Sequence, residues 1–484
     1  MVKNLKALLL LLVILAVIVR LIIAFNTCVV SSDGPLYIEA ANYYYQGDFK
    51  SGFNHPYHPL YPFLMSLLYR VIGNWEWAGF LISIILSSCA VIPLYLIGLQ
   101  LFDNKIALIA SLFYVFEPNI ARISSGILTT GTFICLLVFA VYYFMKAMEQ
   151  WKYLYFALSG LFALLAFLTR PDGLIIIGIF ALWILFANIS GWWKGEFKRK
   201  LLALVCLILP WLVIAIPYIA YVTIKAGSFN ISHKLTAVKL SVFLNPLINP
   251  KALYIVAEDL LKSSHPVLLL LVILGVLLRK KFLLLPSVLS SKWIIWSLVI
   301  GYIIVLVKFA DVFGRISKRY TTPLMVLAIF WGAVGLYILI GKFSKYNIKW
   351  ITIASVIMII ILGISTFNPV GKDRLVEKQA GEWIRTYHKG MDKPVIVADS
   401  NRVPYYGGGK IIMNYEGTRL KRFGKDYKTV LANLRGINTS YLVIDLMDDD
   451  VIIPGFTKQL QQSDLEYLFT ASDKGRALTI YKVK

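Results

Sequence analysis

Polar residues able to do chemistry concentrate in one stretch of the chain, between two long apolar runs. Residues Ser31 to Pro62 read SSDGPLYIEAANYYYQGDFKSGFNHPYHPLYP and hold carboxylates, histidines and tyrosines. A carboxylate such as Asp33, just outside an apolar run, suits a general base because partial desolvation brings its pKa towards neutral pH. Asp33 also precedes Gly34 and Pro35, a position from which it would cap a helix beginning there. The residues leave both roles open, and Asp33 is the candidate catalytic residue.

The motif HPYHPLYP places two imidazoles, His55 and His58, three residues apart between prolines. Such a pair can ligate a divalent metal, but the prolines disfavour a regular helix and no third ligand stands nearby. A metal is therefore not indicated, and no cofactor is predicted. Hydrogen bonds from these rings to a phosphate or a sugar hydroxyl are preferred. Tyr57 and Tyr61 offer surfaces on which a pyranose could stack, or form part of an interfacial belt.

The composition predicts a polytopic α-helical membrane protein. Of 484 residues, 58% are hydrophobic, and the mean hydropathy is +0.72. Apolar runs recur at lengths that match a bilayer span, which excludes a soluble globular enzyme. The net charge of +23 is better explained by orientation and lipid headgroups than by nucleic acid, since many cations fall in short loops between spans. The four cysteines show no paired spacing, so no disulfide framework is indicated.

The basic residues that flank the apolar runs predict the sidedness. Lys3 and Lys6 flank the start of the first run, Leu5 to Phe25, so the N-terminus is expected in the cytoplasm and residues 26–62 form the first outer loop. We count about 11 spans, the last of them Trp350 to Ile364. An odd number places the C-terminus on the extracytoplasmic side.

Five cations at the outward ends of predicted spans form a second group of candidates. They are Arg122, Arg170, Arg315, Lys318 and Arg319. They lie on the side that the positive-inside bias depletes. Several of them beside an acidic loop indicate binding of a phosphate or pyrophosphate headgroup. Arg20, within the first span, is either another such ligand or an ion-pair partner in helix packing.

The chain changes character after residue 367. From Asn368 to Lys484 charges are dense, and no run is long enough to span a bilayer. Strands are predicted at PVIVAD and YLVID, and helices at Arg374 to His388 and Tyr427 to Arg435. Alternating strand and helix predicts a small α/β layer domain. The expected division is thus a transmembrane domain, 1–367, and a soluble extracytoplasmic domain, 368–484.

The order of several motifs resembles the membrane glycosyltransferases of the GT-C superfamily. After the Asp of the first outer loop come HPYHPLYPFLMSLLY, SSGILTTGTF, GLFALLAFLTRPDGLIII, KRYTTPLMVL, and AGEWIRTY with VPYYGG. Within that superfamily, the chain is similar to the family of dolichyl-phosphate-mannose protein mannosyltransferases and bacterial lipid A aminoarabinose transferases. Two positions depart from many relatives: Gly34 follows Asp33 in place of a second acid, and Thr130 stands where a glutamate is common.

The resemblance implies a polyprenyl-phosphate-linked sugar donor and transfer at the extracytoplasmic face. It implies an inverting displacement with Asp33 as the base, and makes Arg170, Arg319 and the pair His55 and His58 candidate donor-site residues. The expected partners are therefore that donor, a lipid, glycan or protein acceptor, and membrane lipids.

Other classes of function remain open. A transporter or flippase of lipid-linked sugars would use the same outer cations without chemistry, but no internal repeat is evident, and the polar residues cluster on one side. A receptor or scaffold would explain the C-terminal domain but not the first loop. A transferase accounts for both the carboxylate and the cations, and is the preferred hypothesis.

Overall fold

The computed structural model describes residues 2–186, 197–227, 229–231, 249–278, 286–343, 362–390, 392–411, 427–445, 464–473 and 475–484. The chain divides into two compact units. The membrane unit comprises Met1–Phe25 and Ala40–Asn368, and the C-terminal unit comprises Asn26–Glu39 and Pro369–Lys484. The structure therefore groups Asn26–Glu39, the beginning of the first outer loop, with the C-terminal residues.

Helices build the membrane unit, and α2 contains the boundary with the C-terminal unit. They are α1 (Val2–Phe25), α2 (Gly34–Tyr45), α3 (Phe49–Asn54), α4 (Leu60–Ile72), α5 (Trp75–Cys89), α6 (Val91–Leu101), α7 (Asn104–Phe116), α8 (Pro118–Ser125), α9 (Thr129–Gln150), α10 (Tyr153–Thr169), α11 (Gly173–Phe186), α12 (Phe197–Pro210), α13 (Ile216–Ala226), α14 (Pro250–Ser263), α15 (Pro266–Leu277), α16 (Pro286–Phe313) and α17 (Lys318–Phe343).

The multi-pass membrane character expected from the sequence is confirmed. Six helical segments of the described residues are long and apolar enough to cross a bilayer, and there are up to eight if the bent pairs α7 with α8 and α14 with α15 are single spans. The count of about 11 is not confirmed. Helices α10 and α11 have 17 and 14 residues, fewer than the roughly 20 that a bilayer requires. Most of the predicted span Trp350 to Ile364 lies outside the described residues.

The apolar stretch after residue 197 forms one helical run that is interrupted by a π-helical turn. Between α12 and α13 the backbone makes a π-helical turn, Trp211–Ala215, directly after Pro210. Proline has no N–H and its ring crowds the preceding turn, so the regular hydrogen-bond ladder cannot continue there. The indole of Trp211 donates to the carbonyl of Gly160 at 3.2 Å, which ties this turn to α10.

Glycine allows α15 and α17 to pack in close contact. A Cβ atom on Gly335 would lie 2.1 Å from the carbonyl oxygen of Leu271, and one on Gly275 would lie 1.8 Å from that of Trp331. Small residues at a membrane helix interface let the backbones approach closely, so that van der Waals packing holds them together. The sequence analysis did not identify this pair.

The C-terminal unit contains a four-stranded sheet with the strand order β1, β2, β4, β3. Its elements are α18 (Leu375–Tyr387), β1 (Ile396–Ala398), α19 (Arg402–Tyr406), α20 (Tyr427–Gly436), β2 (Tyr441–Asp445), β3 (Leu465–Asp473) and β4 (Arg476–Val483). Strands β1 and β2 are parallel, and the other pairs are antiparallel. The segment YLVID forms β2, and PVIVAD contains β1, as predicted. The hairpin of β3 and β4 was not predicted.

Candidate functional site

Asp33 occupies the position directly before α2. Its carbonyl oxygen accepts the N–H groups of Leu36 and Tyr37, both at 3.1 Å, as the carbonyl of a helix N-cap residue does. The side chain is half-buried. The backbone of Asp33 therefore has the geometry expected for a helix cap. The catalytic role of its carboxylate stays a prediction.

The backbone just before Asp33 is held by the C-terminal part of the chain. The main chain of Val30 forms two hydrogen bonds. Its N–H donates to the hydroxyl of Tyr406 at 3.1 Å, and its carbonyl accepts from Nε of Arg402 at 2.6 Å. Further back, the N–H of Cys28 donates to the carbonyl of Val370 at 2.9 Å. Residues far apart in sequence thus fix the chain that leads to the candidate base.

Arg402 is itself held by a buried carboxylate, Glu377 of α18. The guanidinium of Arg402 pairs with Glu377 at 2.8 Å, and Arg476 and Arg374 pair with the same carboxylate at 2.7 and 3.2 Å. Burial alone would raise the pKa of Glu377, but the charge of Arg402 and hydrogen bonds from Ser400, Arg402 and Arg476 outweigh it and lower that pKa to about 2. Glu377 therefore stays ionised and keeps Arg402 oriented.

Glu39, in the middle of α2, has surroundings of the opposite kind. Its Oε2 atom is buried and has no hydrogen-bond partner among the described residues. Burial raises the pKa of the Glu39 carboxyl to about 7, and the charge of Lys393 only partly offsets this. From its position alone, Glu39 is expected to be a structural residue on the solvated face of a helix, and its buried oxygen differs from that expectation.

Arg170 lies in a closed cluster of polar and aromatic groups in the membrane unit. It is 5% exposed, pairs with Asp172, and donates from Nη1 to the carbonyl of Arg319 at 3.0 Å. The hydroxyl of Tyr302 donates to Asp172 at 2.8 Å. The guanidinium also lies over the rings of Phe133 and Tyr320, 4.9 and 4.8 Å from their centroids. The structure thus brings Arg170 and Arg319 together, while Asp172 neutralises the charge of Arg170.

The other cations of this region lie at and before the start of α17. The guanidinium of Arg319 lies 5.0 Å from the centroid of the Tyr320 ring and is partly buried, whereas Arg315 and Lys318 are exposed. Arg170 is buried and its charge is neutralised by Asp172, so it can donate hydrogen bonds to an anion but adds no net positive charge. Arg315, Lys318 and Arg319 are therefore better placed than Arg170 to supply charge to a phosphate.

Arg122 is engaged by main-chain carbonyls. Its guanidinium donates to the carbonyl oxygens of Ser365, Thr366 and Asn368, with distances of 3.2 Å to Thr366 and 3.3 Å to Asn368. These carbonyls lie at the C-terminal end of the helical segment 362–366, where intrahelical donors are lacking. Arg122 therefore caps the C-terminal end of this helical segment, and its binding of a phosphate stays a prediction.

Arg20 is fully buried in α1, and its guanidinium lies 4.8 Å from the centroid of the Tyr114 ring. Nη1 donates to the carbonyl of Ala16 at 3.4 Å, and no described carboxylate forms an ion pair with it. Two alternatives were left open for Arg20, a phosphate ligand and an ion-pair partner in helix packing. The described residues do not support the ion pair.

The HPYHPLYP motif divides into a buried and a partly open part. His55 and His58 are both buried, and the Nδ1 atom of His55 accepts the N–H of Tyr57 at 3.3 Å. His58 lies edge-on to Phe167. Tyr61 has no exposed surface, and its hydroxyl lies 2.9 Å from that of Ser83. Tyr57 is only partly buried, and the stacking of either ring on a sugar stays a prediction.

Two carboxylates of the membrane unit, Asp48 and Glu117, have structural roles. Asp48 accepts the N–H of Ser51 at 3.0 Å and caps α3. Glu117 accepts the N–H of Ile120 at 2.6 Å, which caps α8, and that of His265 at 2.9 Å. Because these oxygens already accept backbone N–H groups, Asp48 and Glu117 act here as helix caps.

Comparison with known proteins gives a family match and a fold. Residues 54–221 match the family model described as dolichyl-phosphate-mannose-protein mannosyltransferase. No curated protein sequence matches the chain. Solved structures, by contrast, match nearly all of it.

Three of these structures illustrate the likeness. The archaeal oligosaccharyltransferase AglB from Archaeoglobus fulgidus, in complex with an inhibitory peptide and a dolichol-phosphate, is 13% identical, with 98% of this chain and 74% of that chain covered and a TM-score of 0.63. ArnT from Cupriavidus metallidurans, bound to undecaprenyl phosphate, is 12% identical, with 99% and 98% covered and a TM-score of 0.59. The arabinofuranosyltransferase AftD from Mycobacteria is 12% identical, with 98% and 40% covered and a TM-score of 0.51.

These matches establish the fold of the chain. The chain is a multi-pass membrane protein with the fold of the GT-C superfamily of membrane glycosyltransferases, and the resemblance predicted from its motifs is confirmed. The family match, residues 54–221, runs from just before α4 into the first half of α13 and includes the HPYHPLYP motif and Arg170.

Proposed function

We propose that this protein is an inverting glycosyltransferase. It takes a sugar from a polyprenyl-phosphate-linked donor and transfers it to a lipid, glycan or protein acceptor at the extracytoplasmic face of the membrane. The observation that supports this most directly is the GT-C fold together with a carboxylate, Asp33, on a backbone segment held in place by Arg402 and Tyr406. A lipid-linked donor also suits a membrane-embedded enzyme, since both reach the same interface.

In the proposed reaction, Asp33 takes the proton of the acceptor hydroxyl or amide as that group attacks the anomeric carbon of the donor sugar. A bond forms from the acceptor to the anomeric carbon, and the bond from that carbon to the phosphate oxygen breaks on the opposite face. The electron pair leaves with the lipid phosphate, and the configuration is inverted. Cations suffice to stabilise the departing phosphate, so one base is enough and no strong general acid is required. Arg315, Lys318 and Arg319 are the proposed cations.

The test is incubation of the purified full-length protein with a panel of radiolabelled polyprenyl-phosphate sugars. Release of free lipid phosphate, with the label recovered in an acceptor, is the expected result. The anomeric configuration of the product, measured by NMR, is expected to be opposite to that of the donor. Movement of intact labelled donor across a vesicle bilayer without any release of phosphate would instead establish a transporter and refute the transferase.

A further inference from the structure

A groove of about 520 Å³ lies on the C-terminal unit, at the end of α18, far along the chain from the proposed catalytic loop. It is lined by Trp383, Thr386, Tyr387 and Lys389. This volume is within the range of small-molecule sites, which is roughly 300 to 1,000 Å³. Neither the proposed reaction nor the support of Asp33 uses any of these residues.

Flat aromatic rings form one wall of the groove. Trp383 stacks on Tyr387 with ring centroids 4.8 Å apart and planes 13° apart, and on Phe469 of β3 at 5.0 Å and 4°. Tyr387 is 44% exposed. The stack joins a helix to the sheet, so the rings are fixed in orientation before any ligand arrives, and a ligand need not order them.

The edge of the groove after α18 is also fixed. His388 bridges two parts of the unit: Nδ1 lies 3.1 Å from the hydroxyl of Tyr441, and Nε2 lies 3.0 Å from the carbonyl of Asp392. A Cβ atom on Gly390 would lie 2.8 Å from the His388 ring, so the loop follows this ring closely. Lys389, between the two, is exposed and forms no ion pair with a described residue.

These features favour a carbohydrate over a purely apolar ligand. The C–H groups on one face of a pyranose pack against a flat aromatic ring, while its hydroxyls need hydrogen-bonding groups at the ring's edge. Thr386 donates its hydroxyl proton to the carbonyl of Glu382, which leaves its oxygen able to accept from a ligand. The ammonium of Lys389 adds a positive charge, which complements a sugar acid.

We propose that the groove formed by Trp383, Thr386, Tyr387 and Lys389 binds an acidic glycan, with a pyranose ring against the aromatic wall and Lys389 paired with a carboxylate of the glycan. The proposal rests on the proposed function, since sugar transfer is what would bring a glycan to this unit. Binding here would hold an acceptor or a product chain on the enzyme between transfers.

The test uses the full-length protein in detergent micelles and isothermal titration with two probes, tetragalacturonate and the neutral maltotetraose. We expect tetragalacturonate to bind more tightly. Replacing Tyr387 with alanine should weaken the binding of both probes about five- to tenfold, the size of an aromatic stacking contact. Lys389→Gln should weaken only the binding of tetragalacturonate. Because Trp383 also packs on Phe469, Trp383→Phe is the gentler second variant, expected to weaken binding without unfolding the unit.

Tyr467→Ala is the matched control, since this tyrosine is 60% exposed in β3 and does not line the groove. Equal effects of Tyr387→Ala and Tyr467→Ala, or no binding of either probe to the wild-type protein, would overturn the proposal. The proposal would also be overturned if Tyr387→Ala and Lys389→Gln weakened binding to anionic lipid vesicles but left sugar binding unchanged. That result would identify the surface as a membrane contact. Release of phosphate from a labelled donor is measured separately, so a failure of this proposal is distinguishable from a failure of the proposed function.

Discussion

Two carboxyl groups near the start of α2 differ in their surroundings. Asp33 ends a backbone segment held by hydrogen bonds, whereas Glu39 has a buried oxygen without a described partner and a pKa raised to about 7. Asp33 remains the candidate base, and Glu39 is the residue whose protonation changes near neutral pH.

Asp33→Asn is expected to lower the turnover of sugar transfer by about 10²- to 10⁴-fold, because the amide cannot accept the acceptor's proton. Asparagine caps a helix about as well as aspartate, so the thermal unfolding midpoint should stay unchanged. Turnover with a saturating donor and the unfolding midpoint are the measurements. Normal turnover in this variant would make Asp33 a cap alone and direct attention to Glu39.

Glu39 is expected to make the protein less stable as the pH rises through neutrality. The unfolded chain releases this proton near pH 4.5, while the folded protein keeps it up to about pH 7. Between these values the folded state binds more protons, so the free energy of unfolding falls with rising pH, by at most about 3 kcal/mol. Unfolding midpoints from pH 4.5 to 8 should therefore decline in the wild type more than in Glu39→Gln. Parallel profiles of the two proteins would contradict this.

At the scale of elements, an ion network connects α18 to the backbone before α2. Glu377 orients Arg402, and Arg402 holds the carbonyl of Val30, three residues before Asp33. Helix packing in the membrane unit depends in the same way on particular positions, such as Gly275 and Gly335 between α15 and α17. Both arrangements lead to tests with matched controls.

Arg402→Gln is expected to reduce the turnover of transfer several-fold with little change in the KM for the donor, because Arg402 bonds to the backbone three residues before Asp33 and, in the proposed site, orients that base and not the donor. The same variant removes the main charge that lowers the pKa of Glu377. Glu377 stabilises the folded state at pH values above about 4.5, and this contribution is lost as the pH falls towards 2. Acid unfolding should therefore begin at a higher pH in Arg402→Gln.

Arg374→Gln is the control for this network, since Arg374 also pairs with Glu377, but its side chain is 44% exposed and it is Arg402 that donates to the carbonyl of Val30. Turnover close to that of the wild type is expected. If Arg374→Gln and Arg402→Gln lowered turnover equally, the effect would reflect general destabilisation of the unit rather than positioning of Asp33.

Gly335→Ala is expected to destabilise the membrane unit by about 1 to 3 kcal/mol, because the new Cβ atom would lie 2.1 Å from a backbone oxygen that cannot move without shifting α15. Gly178→Ala in α11 is the control, since nothing lies within 4 Å of its Cβ position. That change should leave stability unchanged or raise it slightly, because alanine is the better helix former. The thermal unfolding midpoints in one detergent compare the two, and equal midpoints would exclude a tight contact at Gly335.

At the scale of the whole molecule, the orientation of the chain decides which face the proposed reaction uses. The distribution of Lys and Arg predicts a cytoplasmic N-terminus and an extracytoplasmic C-terminal domain. The described helices allow six to eight spans, and residues 344–361 are not among those described, so the helices alone do not determine the parity.

A phosphatase reporter fused after Lys484 is expected to be active, since this enzyme folds only outside the cytoplasm, while a green fluorescent protein fused at the same point should stay dark in a bacterial host. The reverse pattern would place the C-terminus in the cytoplasm. The number of spans would then be even, and the first outer loop and the C-terminal domain would lie on opposite sides, which contradicts the proposed site.

Local patterns predicted the elements and the fold class. Long apolar runs indicated the membrane helices because a bilayer leaves few alternatives for the backbone, and strand β2 was predicted at its observed bounds. The order of motifs from HPYHPLYP to VPYYGG was enough to indicate the GT-C superfamily. These features depend on neighbours along the chain or on the order of segments, and both are present in a single sequence.

The roles of individual side chains depended on the tertiary structure. Arg122 and Arg170 have the same residue type and similar positions at span ends, yet one caps a helix through three carbonyls and the other is neutralised by Asp172. The support of Asp33 by Arg402 joins residues more than 350 positions apart. Burial and long-range pairing determine the charge of a polar side chain and which of its hydrogen-bonding groups are already used. Burial and pairing depend on which distant residues fold against the side chain, so no local pattern could have predicted these roles.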